Sequence, residues 1–340
     1  MNIKTFILII MIESVFLQLQ SNGQTIYFSN TIDLSGEWGM GMSVIVTDST
    51  YHIAGIAGPG YNLCIVEVSI NGEVNWIKKF GKPNEAWYPG SPGSLKKCHT
   101  GFILGGAVDT PDTTYGLFVK FDPFFDTILT KRYSNPIDDY LVIITGYQCF
   151  DSGFIFTGDI SRLIGSPDIL LLKTDSYGNE LWKTSKDLGS YDRGWSIIQT
   201  PDSGFIIGGY TLVPGLENSG DPIVVKFDKD GTYLWKKQFG AQFKDDIAMV
   251  CLKDDSTFTV LTTYTDSMYT PDVGYSRINL IRLTEDGDVL WNRKYGSPLL
   301  GIYVSDIKKT GDGGFICCGY RYIPDIAVLA GRLFKFNCTG

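Results

Sequence analysis

Asp221-Pro222-Ile223-Val224-Val225-Lys226-Phe227-Asp228-Lys229-Asp230-Gly231-Thr232-Tyr233-Leu234-Trp235-Lys236-Lys237-Gln238-Phe239-Gly240 reads as two short strands about a tight turn. Residues 223–227 are β-branched or aromatic apart from Lys226, the composition of a strand bounded by turn residues. Asp230-Gly231 supplies the positive φ that a two-residue hairpin turn requires, and Trp235 sits on the returning strand. Residues 168–182 and 279–296 repeat the phrase.

Working outward, a second phrase precedes each hairpin. Gly204-Phe205-Ile206-Ile207-Gly208-Gly209 recurs at Gly101-Phe102-Ile103, Gly153-Phe154-Ile155 and Gly314-Phe315-Ile316, with weaker copies starting at Thr50 and Thr257. The six copies are spaced 51, 52, 51, 53 and 57 residues apart. Trp76, Leu129, Trp182, Trp235 and Trp291 keep the same step, at 53, 53, 53 and 56. Each unit holds about four strands, written a (the 197–200 type), b (Gly-Phe-Ile), c (the 169–174 type) and d (tryptophan). Four-stranded units at this period are propeller blades. The expected fold is all-β: a six-bladed β-propeller over residues 24–340, a seventh blade being the less favoured count. The last unit stops after its c strand, and residues 25–30 read as a d strand with nothing before it. The N-terminal strand is therefore expected to complete the last blade, which removes two exposed sheet edges.

Composition agrees. The chain has 340 residues, 44% of them hydrophobic, with 39 Gly, 19 Tyr and 20 Phe. Charged residues make up 19%, too few for a disordered or coiled-coil chain. A net charge of −8 without a basic cluster argues against tracking the phosphates of a nucleic acid. Two histidines, His52 and His99, exclude a multi-histidine metal centre. Lys4, the apolar run 6–12 and Ser21-Asn22-Gly23 follow the order of a secretory signal peptide over residues 1–23. Glu13, Gln18 and Gln20 interrupt the apolar run that a membrane anchor would need. The mature chain is expected to be soluble and secreted, periplasmic or at the cell surface, with no transmembrane segment.

The phrases at 168–182, 221–240 and 279–296 resemble the β-propeller repeat of exported bacterial proteins, and the resemblance covers essentially residues 25–340. It implies the propeller fold and export, and says little of activity. Many members carry a C-terminal sorting domain for type IX secretion, which these 340 residues do not include. The repeat is also distantly similar to the tryptophan repeat of quinoproteins, which have eight blades.

In blades of this order the d–a and b–c connections share one face. The c–d and a–b turns are short, so residues 106–115, 159–167, 211–221, 263–276 and 321–325 become candidate b–c loops, and their face the candidate binding face. Just before strand a, five units carry a carboxylate: Glu37, Glu85, Asp139, Asp192 and Asp246. Aromatics follow in four of them, Trp38, Trp87, Tyr140 and Trp195, and the last unit has Tyr303. Converging on a channel mouth, these would suit Ca²⁺, which takes several oxygens, or a stacked sugar. Their competing role is structural, as caps of backbone N–H groups and wedges between blades.

Other candidates are weaker. Cys317-Cys318 falls in mid-strand b, where two core thiols are the simpler reading than a vicinal disulfide. Cys98 and Cys149 would bridge only with Cα atoms within about 7 Å, and seven cysteines imply no disulfide framework. A sialidase Asp-box does not match: Asp228 lies three residues before Gly231, and Trp235 four after. Arg193, Arg277, Arg282 and Arg321 could hold a carboxylate sugar, but their spacing does not say so. No phosphate loop, nucleophile elbow or His-Glu-x-x-His helix occurs. No cofactor is evident apart from the Ca²⁺ option. The expectation is a secreted binding or protein-interaction scaffold for a protein or glycan, without chemistry of its own. The alternative is an extracellular carbohydrate-active or quinone-dependent enzyme working at the channel mouth.

Overall fold

The computed structural model describes residues 39–90, 93–134, 140–161, 166–212, 220–240, 248–252, 257–270, 273–296, 301–323 and 328–337. Among them the regular elements are all β-strands, and no helix is long and apolar enough to cross a membrane. The signal-peptide segment, residues 25–30, Glu37, Trp38, Asp139 and Asp246 lie outside the described residues. Two compact units divide the chain, Met1–Thr145 and Gly146–Gly340.

In the first unit β1 (Gly39–Val46), β2 (Thr50–Ala57), β3 (Asn62–Ser69) and β4 (Val74–Phe80) form one antiparallel sheet in chain order. In the next, β5 (Ala86–Pro89) and β6 (Leu95–Cys98) both pair with β7 (Gly101–Asp109), followed by β8 (Thr114–Phe121) and β9 (Thr127–Tyr133). The a strand is thus broken in two, with β5 ending at Pro89, whose nitrogen cannot donate to a ladder. β10 (Tyr140–Gln148) holds the division between the units.

In the second unit β11 (Phe154–Ser161), β12 (Asp168–Thr174) and β13 (Glu180–Lys186) pair in order. Then come β14 (Asp192–Gln199), β15 (Phe205–Leu212), β16 (Gly220–Phe227) and β17 (Tyr233–Gln238). β18 (Met249–Leu252), β19 (Thr257–Thr270), β20 (Val273–Thr284) and β21 (Val289–Tyr295) follow, and β22 (Gly301–Lys309), β23 (Phe315–Ile323) and β24 (Val328–Phe336) make a three-stranded sheet. No sheet closes on itself among the described residues. The expected strand order a-b-c-d holds, but two expected loops do not. Residues 106–115 are mostly the ends of β7 and β8, joined at Thr110–Thr113, and residues 263–276 largely continue β19 and β20. Thr and Tyr there extend the ladders, because β-branched and aromatic residues suit a pleated surface whether or not it faces solvent.

The repeated phrases build both the turns and the packing between sheets. Asp122, Asp175 and Asp228 each accept two backbone N–H bonds through Oδ1, from residues two and four positions on, which closes the c–d turn. Gly231 sits in that turn at φ +82°, and a Cβ there would lie 2.8 Å from Trp182 Cζ3. Gly287, at φ +83°, stands 3.2 Å from Trp235 in the same sense. Each tryptophan therefore lies against the turn of the following sheet. Trp182 also meets Phe205 edge-on, and Trp235 stacks on Phe258, at 6.2 and 6.4 Å between ring centroids. Buried aliphatics fill the rest of these interfaces, such as Ile169, Leu171, Ile207 and Val225, then Val224, Ala248, Val260 and Ile281.

Candidate functional site

Of the rim residues expected from sequence, those described do different jobs. In the first unit Glu85 accepts both Arg132 guanidinium nitrogens, at 2.9 and 2.5 Å, and the Trp87 indole N–H at 2.7 Å. Arg132 in turn lies over the Trp87 ring, which is buried in the core. The Arg132 bonds hold the Glu85 carboxyl below its ordinary range. Every acceptor of Glu85 is thereby engaged within its own sheet. Tyr140 and Tyr303 are half-buried at the starts of β10 and β22.

Asp192 opens β14 and is fully buried. It accepts the Thr211 hydroxyl through one oxygen and the Leu188 N–H, at 2.7 Å, through the other. Burial pushes its pKa up, and these two hydrogen bonds only partly offset that. Trp195 occupies a β-bulge between Gly194 and Ser196, half-buried against the core formed by Met249, Leu261 and Ile302.

Around Asp192 the second unit gathers groups that the rim pattern missed. β11 and β15 end, β12 and β14 begin, and β13 hands over to β14 at one end of two adjacent sheets. There Arg193 donates to Asp159 Oδ2 at 2.9 Å and to the Tyr191 hydroxyl at 2.7 Å. The Arg193 guanidinium lies 5.5 Å from the Tyr191 ring and 5.9 Å from that of Trp195, and Tyr191 stacks on Tyr210 at 5.9 Å. Asp159 is fully buried. Its desolvation raises the carboxyl pKa despite the Arg193 charge beside it, and burial likewise raises the Tyr210 phenol. Asp159 Oδ1 and Arg193 Nε are buried without a partner.

On the other side of β14, one oxygen each from Asp168, Asp187 and Asp192 lie within 4.8 Å of one another. Asp187 is exposed, Asp168 half-buried and Asp192 buried, so the trio runs from solvent inward. These are the described residues that could offer oxygens to a cation. Asp192 already spends both oxygens on Thr211 and Leu188. Asp187 Oδ1 likewise accepts the Gly189 N–H at 2.6 Å, and Asp187 is the carboxyl of the three that faces solvent.

A signal for part of this was present in the repeat. Asp159 and Tyr210 stand six residues after the Gly of Gly-Phe-Ile, where two sibling units have Ile56 and Ala107. The remaining units have Thr263 and Tyr320 there, so of the two only the buried carboxylate of Asp159 departs from the repeat. His52 is a strand residue, paired with Glu67. Cys64, Cys98, Cys149, Cys317 and Cys318 are free thiols.

No protein-family model and no curated protein matches the sequence. Solved structures do. A subtype N10 neuraminidase-like protein of A/little yellow-shouldered bat/Guatemala is 11% identical over 87% of this chain and 94% of its own, with a TM-score of 0.50. The α-L-arabinofuranosidase Arb93A from Fusarium graminearum is 10% identical over 87% of this chain and 93% of its own, at 0.52. The NanB sialidase from Streptococcus pneumoniae is 8% identical over 89% and 68%, at 0.53. The likeness is one of fold, and it makes this chain β-propeller-like. It also corrects the expectation of a scaffold without chemistry. That expectation rested on the lack of a recognisable catalytic motif, yet a sialidase and an arabinofuranosidase share this fold at 8% and 10% identity. At such identity a missing motif carries no weight, because the fold places residues by strand end and not by spacing.

Proposed function

We propose that this chain is a carbohydrate-active enzyme, a glycoside hydrolase, with its site at the loop end of β11–β15. The observation that carries the reading is the acid trio Asp168, Asp187 and Asp192, with oxygens within 4.8 Å, beside the Arg193–Tyr191–Tyr210 cluster. Glycosidic cleavage needs one carboxyl to protonate the leaving oxygen and a second to attack or to activate water. A separation near 5 Å suits direct attack with retention, whereas inverting enzymes keep about 6.5–9.5 Å for the water. Asp168 and Asp187 are the reacting pair in this reading. Asp192 is a positioning residue beneath them, fixed by Thr211 and Leu188. The tyrosines and Trp195 offer flat apolar faces of the kind on which sugar rings stack. The names of the fold neighbours, a sialidase and an arabinofuranosidase, support the same reaction class.

The rest of the sequence reading belongs with this proposal. The chain is an exported member of the bacterial β-propeller repeat family, cleaved near residue 23. It forms a single six-bladed propeller over 24–340, and residues 25–30 complete the last blade. The test is a panel of 4-nitrophenyl glycosides incubated with the purified full-length chain. Hydrolysis is expected, with the first-formed anomer retained by NMR. Asp187→Asn, at an exposed position, should lower kcat at least a hundredfold while leaving the melting temperature unchanged. Absence of turnover across the panel, or full activity in Asp187→Asn, overturns the assignment.

A further inference from the structure

In the second unit Lys173, Arg193, Lys226, Lys229 and Lys335 each meet a carboxylate within 2.9 Å. Four lysines of its outer strands do not. Lys186 on β13, Lys236 and Lys237 on β17 and Lys294 on β21 have no carboxylate partner among the described residues. Acids are not scarce in this chain, with 37 Asp and Glu against 29 Lys and Arg.

Strand register places these lysines, because residues directly opposite in a ladder share a face. Lys186 is opposite Ile169, and Lys236 opposite Val225. Ile169 and Val225 belong to the core between the sheet of β11–β13 and that of β14–β17. Lys237 is opposite Val224, and Lys294 opposite Asn279, which shares a face with Ile281 two residues on. Val224 and Ile281 belong to the core of the next seam, towards β18–β21. Each seam is therefore lined at its outer strands by two lysines, one from each sheet. In each, one lysine lies over a tyrosine ring, Lys186 over Tyr233 at 4.7 Å and Lys294 over Tyr264 at 3.1 Å from the centroid. A ring face holds an ammonium in place without cancelling its charge. Asp221, on the face of β16 that carries Val225, accepts the Gln238 amide at 2.6 Å and forms no ion pair with either lysine. No basic run marks this arrangement in the sequence, since the lysines that share a seam stand 50 and 57 residues apart.

We infer that the two seams are anion subsites through which the outer strands of the second unit hold a linear acidic polysaccharide. Like charges that face one seam repel, and an anionic group seated between them turns repulsion into attraction. Anionic groups recurring along one polymer match lysines recurring from seam to seam, whereas a small anion would engage one seam alone. Lys186 directly precedes Asp187, so the first seam leads to the proposed reacting pair. The choice of a glycan rests on the glycoside-hydrolase reading, and the lysines supply the charge of the polymer.

The experiment titrates the full-length chain, in chelator at pH 7, with polygalacturonate and with its methyl ester, which keeps the backbone and removes the charge. A single-stranded oligodeoxynucleotide serves as a polyanion of another class. Polygalacturonate is expected to bind about tenfold more tightly than the ester at low salt, an advantage that raised salt should erase by screening. Lys236→Gln combined with Lys237→Gln removes one lysine from each seam and should weaken polygalacturonate about tenfold, with the fold checked by melting. Lys229→Gln, at an exposed turn position already paired with Asp230, should leave binding unchanged. Should the double variant fold poorly, Lys294→Gln at its exposed position carries the comparison. Polygalacturonate bound no better than its ester, or held undiminished by the variants, overturns the inference. So does tighter binding of the oligonucleotide, which would make the seams a phosphate surface. Turnover of 4-nitrophenyl glycosides without binding of polygalacturonate would sink this inference and leave the hydrolase reading standing. Binding without turnover of any glycoside would keep the subsites and remove that reading.

Discussion

His52 shows how one residue couples two sheets of the first unit to pH. Its Nε2 lies 2.8 Å from Glu67 Oε2, its ring stacks on Phe125 at 4.5 Å, and its Nδ1 is buried without a partner. Burial lowers the imidazole pKa, and Glu67 only partly opposes this. The unfolded imidazole, with a pKa of about 6.5, therefore takes up its proton first as pH falls. The unfolded state then binds more protons than the folded one, so the folding free energy declines as pH drops through about 6.5 and below. Urea melts between pH 7.5 and 5 on wild type and His52→Gln isolate this contribution, since the variant keeps the other titrating groups. The wild type should lose more stability over that range than the variant. Equal pH slopes would mean that the site accepts the imidazolium without penalty. Glu67 stands where the other units have Lys120, Lys173, Lys226, Arg282 and Lys335, and His52 where most have isoleucine. One polar pair has thus replaced an aliphatic and a cation in a single unit.

Among the elements, the outer strand and the turn before it decide how sheets meet. Trp182 reaches from β13 to Gly231 and Phe205 of the following sheet, and Trp235 from β17 to Gly287 and Phe258. Trp182→Ala should cost about 3 kcal/mol, the low end for removing a large aromatic, because the ring is only half-buried. Denaturant titration reads this directly, and near-wild-type stability would show that the contact is incidental. These elements were legible in the sequence because the Asp-Gly turn, the tryptophan and the Gly-Phe-Ile strand recur at a fixed step, and the repetition averages out the ambiguity of any single strand. The site was less legible, because a residue's place in the repeat does not say which neighbours it will meet. Asp192 was visible as an acid before strand a. Asp168 and Asp187 come from two other strand ends, and only the pairing of β12 with β13 and the short passage from β13 to β14 bring them beside it. Glu85 obeys the same sequence rule as Asp192, yet Arg132 and Trp87 take up all that it offers. A carboxylate's position in the repeat does not reveal which neighbours will neutralise it.

Across the whole molecule, cohesion comes from sheet-on-sheet burial and from turn hydrogen bonds, with the described cysteines contributing as apolar side chains. Cys64, Cys98, Cys149 and Cys317 are buried, and Cys318 is half-buried. Burial holds the thiols of Cys64 and Cys318 up at about 11 and that of Cys149 at about 12, and raises that of Cys317 as well. A thiol reacts as its thiolate, so burial makes these groups inert at pH 8 both by keeping them protonated and by limiting access. Such inertness matters most in an oxidising compartment, where exposed cysteines would pair. Brief iodoacetamide treatment of the native chain at pH 8, followed by peptide mass spectrometry, should leave Cys64, Cys149, Cys317 and Cys318 unmodified. The same treatment in denaturant should label all four. A reductant should leave the melting temperature in place, since no cross-link among these residues is there to break. Native labelling of Cys317 would show that β23 opens on the timescale of alkylation, and a reductant-sensitive melt would show that a disulfide forms in solution.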